Sequence, residues 1–321
     1  MASVHDSKHK GYGKLILFGE HFVVYKKPAL VGAVTASTTA TVELSCEDTW
    51  STGLIVEDSR PAVPGYKDEK AHEMLESTRL VLQHFGIDCN KRGVKVCLGG
   101  DLAPASGIGA SAANCVSVAR ALAEALGKTD ITEEEINRAG YEGEKAYHGT
   151  PSGVDNTAST YGGLMTFQRT DSDPIFEKRP LGKEIPIVYA STGITSSTTK
   201  VVGDVKAKRE SDPEWYNALE ERYVSIYERA DAALKDPETI IATFGALADE
   251  NHALLQDLTV SCKELDSLCE AAREAGAVGA KMSGTGRGGL MFAICPDNDT
   301  RDKVATALQA LSPNVWKTSF T

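Results

Sequence analysis

The chain has 321 residues with 41% hydrophobic and 25% charged positions, the make-up of a globular protein of one large or two ordinary domains. Its 45 acidic against 34 Lys and Arg residues leave a formal net charge of −11, which excludes a broad nucleic-acid footprint. No apolar run approaches the ~20 residues of a membrane span, and a bound polyanion has to be met by local donors and a metal ion.

From the N-terminus, residues 1–11 lack the apolar stretch of a secretory signal and read as a frayed leader. The expected location is cytoplasmic, with an organelle as the alternative. The pattern predicts a buried strand over 15–18, an apolar run at 22–25 after Gly19, and an alternating strand over 38–44. Residues 48–68 mix Ser, Pro, Gly and charges and read as a surface excursion. A helix is expected over 71–85 and a strand over 94–98. A further helix runs from Ser111, with Val116, Ala119, Leu122, Ala123 and Leu126 at helical spacing and Gly127 ending it. Thr132 and Glu135 form a capping-box signature for a helix over 133–147, followed by a strand over 160–167. The polar stretch 170–186 carries Pro174, Pro180 and Pro186 and marks the expected boundary between domains 1–180 and 181–321. Beyond it the pattern predicts a strand over 187–190, helices over 213–234, 237–256 and 260–275, a glycine-rich turn, a strand over 290–294, a helix over 299–311 and a strand over 315–319.

The seven cysteines contain no Cys-x-x-Cys pair and read as reduced thiols, with Cys97, Cys115 and Cys295 in apolar, core-like contexts.

Four segments carry chemistry. Residues 104–113, PASGIGASAA, lead directly into a helix. Gly107 and Gly109 permit close backbone approach, and the helix start offers unpaired N–H groups to an anion. Ser111 there is either an N-cap or a metal-directed hydroxyl. Residues 143–156, GEKAYHGTPSGVDN, hold Glu144 near a helix end and Asp155 past a Pro/Gly turn. Two carboxylates on separate elements suit metal binding and proton acceptance in phosphoryl transfer; each could instead be a solvated helix charge or a turn residue. Residues 14–25, KLILFGEHFVVY, set Lys14, Glu20 and His21 around an apolar rib. A lysine there can keep a carboxylate ionised and offset developing charge, while His21 is either structural or a ligand contact. Residues 281–289, KMSGTGRGG, form a second glycine-rich loop with Ser283 and Thr285, either a nest of backbone donors or a tight hairpin. The P-loop pattern is absent. Gly107-x-Gly109-x-x-Ala112 and Gly284-x-Gly286-x-x-Gly289 match the dinucleotide pattern only formally, because the second precedes a strand and no parallel βαβ series opens the chain.

Together these segments resemble the GHMP kinase family, which includes galactokinases and homoserine, mevalonate and phosphomevalonate kinases. Its three motifs occur in order over nearly the whole chain. The resemblance implies an α+β, two-lobed fold: an N-terminal α/β domain with a left-handed crossover, a C-terminal ferredoxin-like domain, and ATP and substrate between them. It implies ATP and Mg2+ as cofactors. The family's phosphate loop falls on Pro104, Ala105, Ser106, Gly107, Ile108, Gly109, Ala110, Ser111 and Ala112. Its metal ligands fall on Ser111 and Glu144, its catalytic aspartate on Asp155 and its supporting lysine on Lys14. Substrate contacts would come from Lys14, Glu20, His21, Asp155, Ser283 and Gly284, with Arg169 as the candidate cation for a substrate carboxylate.

Within the family, residues 14–30, 148–156 and 191–205 are similar to the branch that phosphorylates mevalonate. Ala110, Lys27, Ser191 and Arg287 depart from its usual residues. The resemblance implies a small-molecule substrate, no nucleic acid or membrane partner, and a monomer or homodimer. The alternatives are another family kinase, acting on phosphomevalonate, homoserine or a sugar; a non-catalytic ligand sensor on the same fold; and a dinucleotide-dependent oxidoreductase.

Overall fold

The computed structural model describes residues 9–45, 52–62, 64–104 and 107–320. Its contacts gather into two compact units, Met1–Lys14 with Thr35–Gly162 and Leu15–Val34 with Gly163–Thr321. This differs from a consecutive division at 180/181, and strand pairing is the reason. Ala29–Gly32 pair with Phe167–Leu164, and Val34 with Phe320, so an N-terminal stretch is built into the C-terminal unit. The proline-bearing stretch holds a hairpin partner strand of that same unit.

Two strands are shared covalently: β1 (Lys10–Phe18), whose first five residues lie in the first unit, and β2 (Ala29–Leu44), which crosses at Val34. The rest of the first unit comprises β3 (Gly53–Asp58), α1 (Tyr66–Glu69), α2 (Ala71–His84), β4 (Gly93–Gly100), α3 (Ala110–Ala125), α4 (Glu133–His148) and α5 (Val154–Tyr161). β2 runs antiparallel to β4 from Thr38↔Gly100 to Leu44↔Val94, and β3 lies parallel to β4 outside it. Strand β3 falls in the stretch read as an excursion. Its alternating burial leaves only Leu54 and Val56 packed inward, too little apolar signal to stand out.

The core of this unit packs α2, α3 and α4 on the sheet through Val81, Leu82, Val94, Val96, Val116, Leu122 and Ile136. Helix α3 is buried almost all round because its inward residues are mostly Ala, Val and Cys. A Cβ at Gly143 of α4 would sit 2.7 Å from the Cys115 sulfur of α3, so only glycine allows the two helices this close. That approach brings the next residue, Glu144, towards the start of α3. The expected capping box of α4 is present: Thr132 accepts from the Glu135 N–H and Glu135 from the Thr132 N–H.

The second unit comprises a 3-10 turn (Phe22–Tyr25), β5 (Leu164–Gln168), β6 (Ile175–Arg179), β7 (Ile185–Ser191), α6 (Thr198–Ser211), α7 (Pro213–Ala233), α8 (Ile240–Asp257), α9 (Lys263–Glu274), β8 (Gly279–Ser283), β9 (Leu290–Ile294), α10 (Asn298–Gln309) and β10 (Val315–Phe320). β10, β7, β9 and β8 form consecutive antiparallel pairs. Strand β5 starts at Leu164, because Thr160 is still in α5. Helix α6 was not anticipated; only Val201 and Val205 are buried along it, so its helical period is faint. Among the described residues no helix is long and apolar enough to cross a membrane. All six described cysteines are free. Cys115 and Cys295 are core residues, but Cys97 is half-buried beside Glu57.

Candidate active site

In the first unit, four segments distant in sequence converge. Gly109 is the N-cap residue of α3, with φ 71°, and among the described residues no side chain caps the helix. Ser111 is therefore inside the first turn rather than the cap, and the first amides of α3 are left for a ligand. A Cβ on Gly109 would lie 2.9 Å from Lys14 Cγ and 3.3 Å from Asp155 Oδ1, so the loop is pressed against both side chains. The Lys14 N–H donates to the Ile108 carbonyl at 2.8 Å, which ties strand β1 to the loop. Ala105 and Ser106 lie outside the described residues. Pro104, Ile108, Ala110 and Ala112 are buried, while Gly107 faces outwards with φ 97°.

Lys14 Nζ stands 3.0 Å from Asp155 Oδ1, with the lysine side chain 9% and the aspartate 30% exposed. Asp155 occupies the first turn of α5, whose N-cap is Gly153 at φ 84°, so its carboxylate sits at the positive end of that helix. Glu144, in the last turn of α4, is almost wholly enclosed. Burial first, and then the negative charge of Asp155, push its carboxyl up to about 8; a hydrogen bond from Ser111 and the charge of Lys14 pull the other way. Glu144, Ser111, Asp155 and Lys14 therefore act on one another. Among the described residues Glu144 Oε1 has no hydrogen-bond partner, and a buried orphan carboxylate oxygen is costly unless a ligand cation or donor completes it. Among the described residues there is no group of three or more His, Cys, Asp or Glu that could hold a metal by itself.

In the second unit, the residues after β1 meet β8 and the glycine loop. His21 has φ 63°, unusual for a non-glycine residue, and its Nε2 lies 2.8 Å from the Thr285 carbonyl oxygen. A carbonyl only accepts, so Nε2 carries the proton and Nδ1 is left as an acceptor, buried and without a partner among the described residues. Burial holds the ring's pKa below its ordinary value, so His21 is neutral. Ser283 both donates to the Ile16 carbonyl and accepts from the Ile16 N–H, each at 3.1 Å, which fastens the end of β8 to β1. The adjoining Gly284 has φ 90° and open space at its Cβ position. Arg169 is exposed just past β5 and has no ion pair among the described residues.

Glu20 is enclosed: its side chain is 0% exposed and its Oε1 is paired with Lys281 Nζ. Lys281 stood in a recognised segment without being singled out. The only signal was a lysine within the otherwise small and apolar run GAVGAKM, a place where a cation survives only with a buried partner. Arg287, one of the departures, has φ 52° and reaches Asp204 of α6 at 2.5 Å, and Lys27, another, pairs with Glu220 at 2.8 Å.

Comparison with known proteins agrees with this geometry. The profile "GHMP kinases N terminal domain" matches residues 72–163, and "GHMP kinases C terminal" matches residues 238–314. The chain belongs to the GHMP kinase family and, like its members, uses ATP. Within that family it is similar, among others, to mevalonate kinases. Those of Pyrococcus horikoshii and Pyrococcus furiosus are 34% and 36% identical over 309 and 312 residues, each alignment covering 92% of this chain and 90% of the relative. The crystal structure of L. major mevalonate kinase in complex with R-mevalonate is 40% identical and superposes with a TM-score of 0.93, covering 98% of this chain and 96% of that one.

Proposed function

We propose that the chain transfers the γ-phosphoryl group of ATP to the primary hydroxyl of mevalonate, giving 5-phosphomevalonate and ADP. One observation carries this reading: the Lys14–Asp155 pair is pressed against Gly109 at an uncapped helix start, with the enclosed Glu144 carboxylate beside it. The acceptor is argued from likeness to the L. major enzyme that binds R-mevalonate and to the Pyrococcus mevalonate kinases.

The uncapped start of α3 would take the ATP phosphates on its free amides. Asp155 accepts the proton of the acceptor hydroxyl as that oxygen bonds to the γ-phosphorus and the bond to ADP breaks. Lys14, 3.0 Å from Asp155 Oδ1, orients that carboxylate and offsets charge on the transferred group. The Ser111 hydroxyl and the orphan Glu144 oxygen are hard oxygen donors that fit Mg2+ and would hold it. When bound, the ion would neutralise phosphate charge and hold Glu144 ionised. In the second unit, His21 Nδ1 offers an acceptor to a substrate hydroxyl, Gly284 lies in the adjoining loop, and Arg169 is the free cation proposed for the mevalonate carboxylate.

An ADP-release assay across mevalonate, phosphomevalonate, homoserine and galactose tests the assignment. Mevalonate is expected to be preferred by at least about a hundredfold in kcat/KM, because buried polar groups left unpaired by a wrong acceptor discriminate strongly. Equal or better turnover of another acceptor would overturn the substrate, and nucleotide binding without turnover of any would favour a sensor.

A further inference from the structure

Taking the mevalonate kinase reading as its basis, we infer that Glu20 and Lys281 form an enclosed positioning pair that seats His21, and that Glu20 does not itself touch substrate. Both side chains are 0% exposed, so neither a ligand nor solvent reaches the carboxylate. Lys281 Nζ holds Glu20 Oε1, donates to the Met282 carbonyl at 2.8 Å and lies 5.3 Å from the centre of the Phe292 ring. The lysine is therefore immobilised on three sides. Glu20 is peptide-bonded to His21, so fixing its side chain fixes the strained backbone at φ 63° that carries the ring. The ring's other anchor, Thr285, belongs to the loop that leaves β8 two residues after Ser283, and β8 itself begins two residues before Lys281. One strand thus grips both ends of the Glu20–His21 dipeptide.

Strand β8 is itself anchored. The Met282 N–H donates to His252 Nδ1 at 3.2 Å, which leaves His252 Nε2 to donate to Asp266 at 3.0 Å, and the Ser261 hydroxyl donates to the same carboxylate oxygen at 2.5 Å. The resulting run of polar contacts links Asp266, His252, the Lys281–Met282 segment, Glu20 and His21, largely within apolar packing. A buried ion pair is a poor source of stability compared with apolar side chains of similar volume, so its use here points to a geometric duty. That duty is to present Nδ1 of His21 as a preoriented acceptor.

Glu20→Gln, Lys281→Met and the combined variant test this, read by the KM for mevalonate, the KM for ATP, the thermal midpoint and the tautomer of His21 from its ring nitrogen shifts. Both single variants are expected to raise the mevalonate KM by roughly tenfold to a hundredfold and to leave the ATP KM within about twofold. The combined variant, which leaves no lone buried charge, should recover most of the midpoint yet keep the raised KM, with His21 sampling both tautomers. It also keeps the test decisive should a single variant fail to fold. A raised KM in Glu20→Gln with a normal KM in Lys281→Met would show that Glu20 contacts substrate directly. Recovery of both midpoint and KM in the combined variant would reduce the pair to packing. The His21 signal requires no acceptor, so failure of this inference is separable from failure of the substrate assignment, which the wild-type acceptor screen reads alone.

Discussion

The chain contains two lysine–carboxylate pairs that look alike in sequence and differ in what surrounds them. Lys14–Asp155 keeps 30% of the aspartate side chain open and sits against a helix start with no cap. Lys281–Glu20 is closed to solvent and roofed by an aromatic ring. Among the described residues the first leaves polar capacity unused: a start of α3 with no side-chain cap and an orphan oxygen on Glu144. In the second, Lys281 is engaged by Glu20 and by the Met282 carbonyl. Unspent polar capacity beside an opening marks chemistry; among the described residues the closed pair keeps one unpaired oxygen, Glu20 Oε2, but it is enclosed and faces no opening.

The largest effect that sharpens this contrast is on turnover at the open pair. Lys14→Met is expected to lower kcat by about 10^2- to 10^3-fold, as loss of one preorganised charge does, while moving the thermal midpoint little. A kcat within a few-fold of wild type would break the contrast. At the closed pair the ranking inverts. Lys281→Met leaves Glu20 buried and uncompensated and should cost about 3–5 kcal/mol in denaturant unfolding; a loss below ~1 kcal/mol would mean that the carboxyl simply takes up a proton without structural consequence. The smallest effect concerns Glu144. Its folded-state carboxyl, pushed up to about 8 from an ordinary 4.5, binds more protons folded than unfolded, so ligand-free stability falls as pH rises through that window. Glu144→Gln removes the titration. The variant should melt about 2–6 °C above wild type at pH 8, with the gap shrinking towards pH 5, although its turnover collapses. Equal melting at both pH values would contradict the assigned environment.

Much of the open site was legible in the sequence because each of its residues sits in a local pattern with a mechanism. The glycines before Ser111 announce a helix start with free amides, the Thr132–Glu135 box fixes α4 and hence Glu144, and the Pro/Gly turn introduces Asp155. Two features of the site were not legible. Whether Ser111 caps α3 depended on which residue takes φ 71°, and that residue is Gly109. The enclosure of Glu20 depended on a partner 261 residues away, a contact that no local period reports. The same reasoning explains the missed elements. β3 packs only Leu54 and Val56 as apolar side chains against the core, α6 fully buries only Val201 and Val205, and β6, with its largely exposed IFEKR, is held by backbone pairing to β5 rather than by an apolar face. The two compact units depart from a consecutive division at 180/181 because β2, at 16 residues, serves both.

The central claim is that Asp155 takes the acceptor's proton in a centre whose nucleotide grip is built from other residues. The most direct measurement pairs the rate of mevalonate phosphorylation by Asp155→Asn with its equilibrium affinity for Mg2+-ATP. The expected result is a rate about 10^3-fold below wild type with an affinity unchanged within about twofold. Phosphorylation by Asp155→Asn at close to the wild-type rate would contradict it.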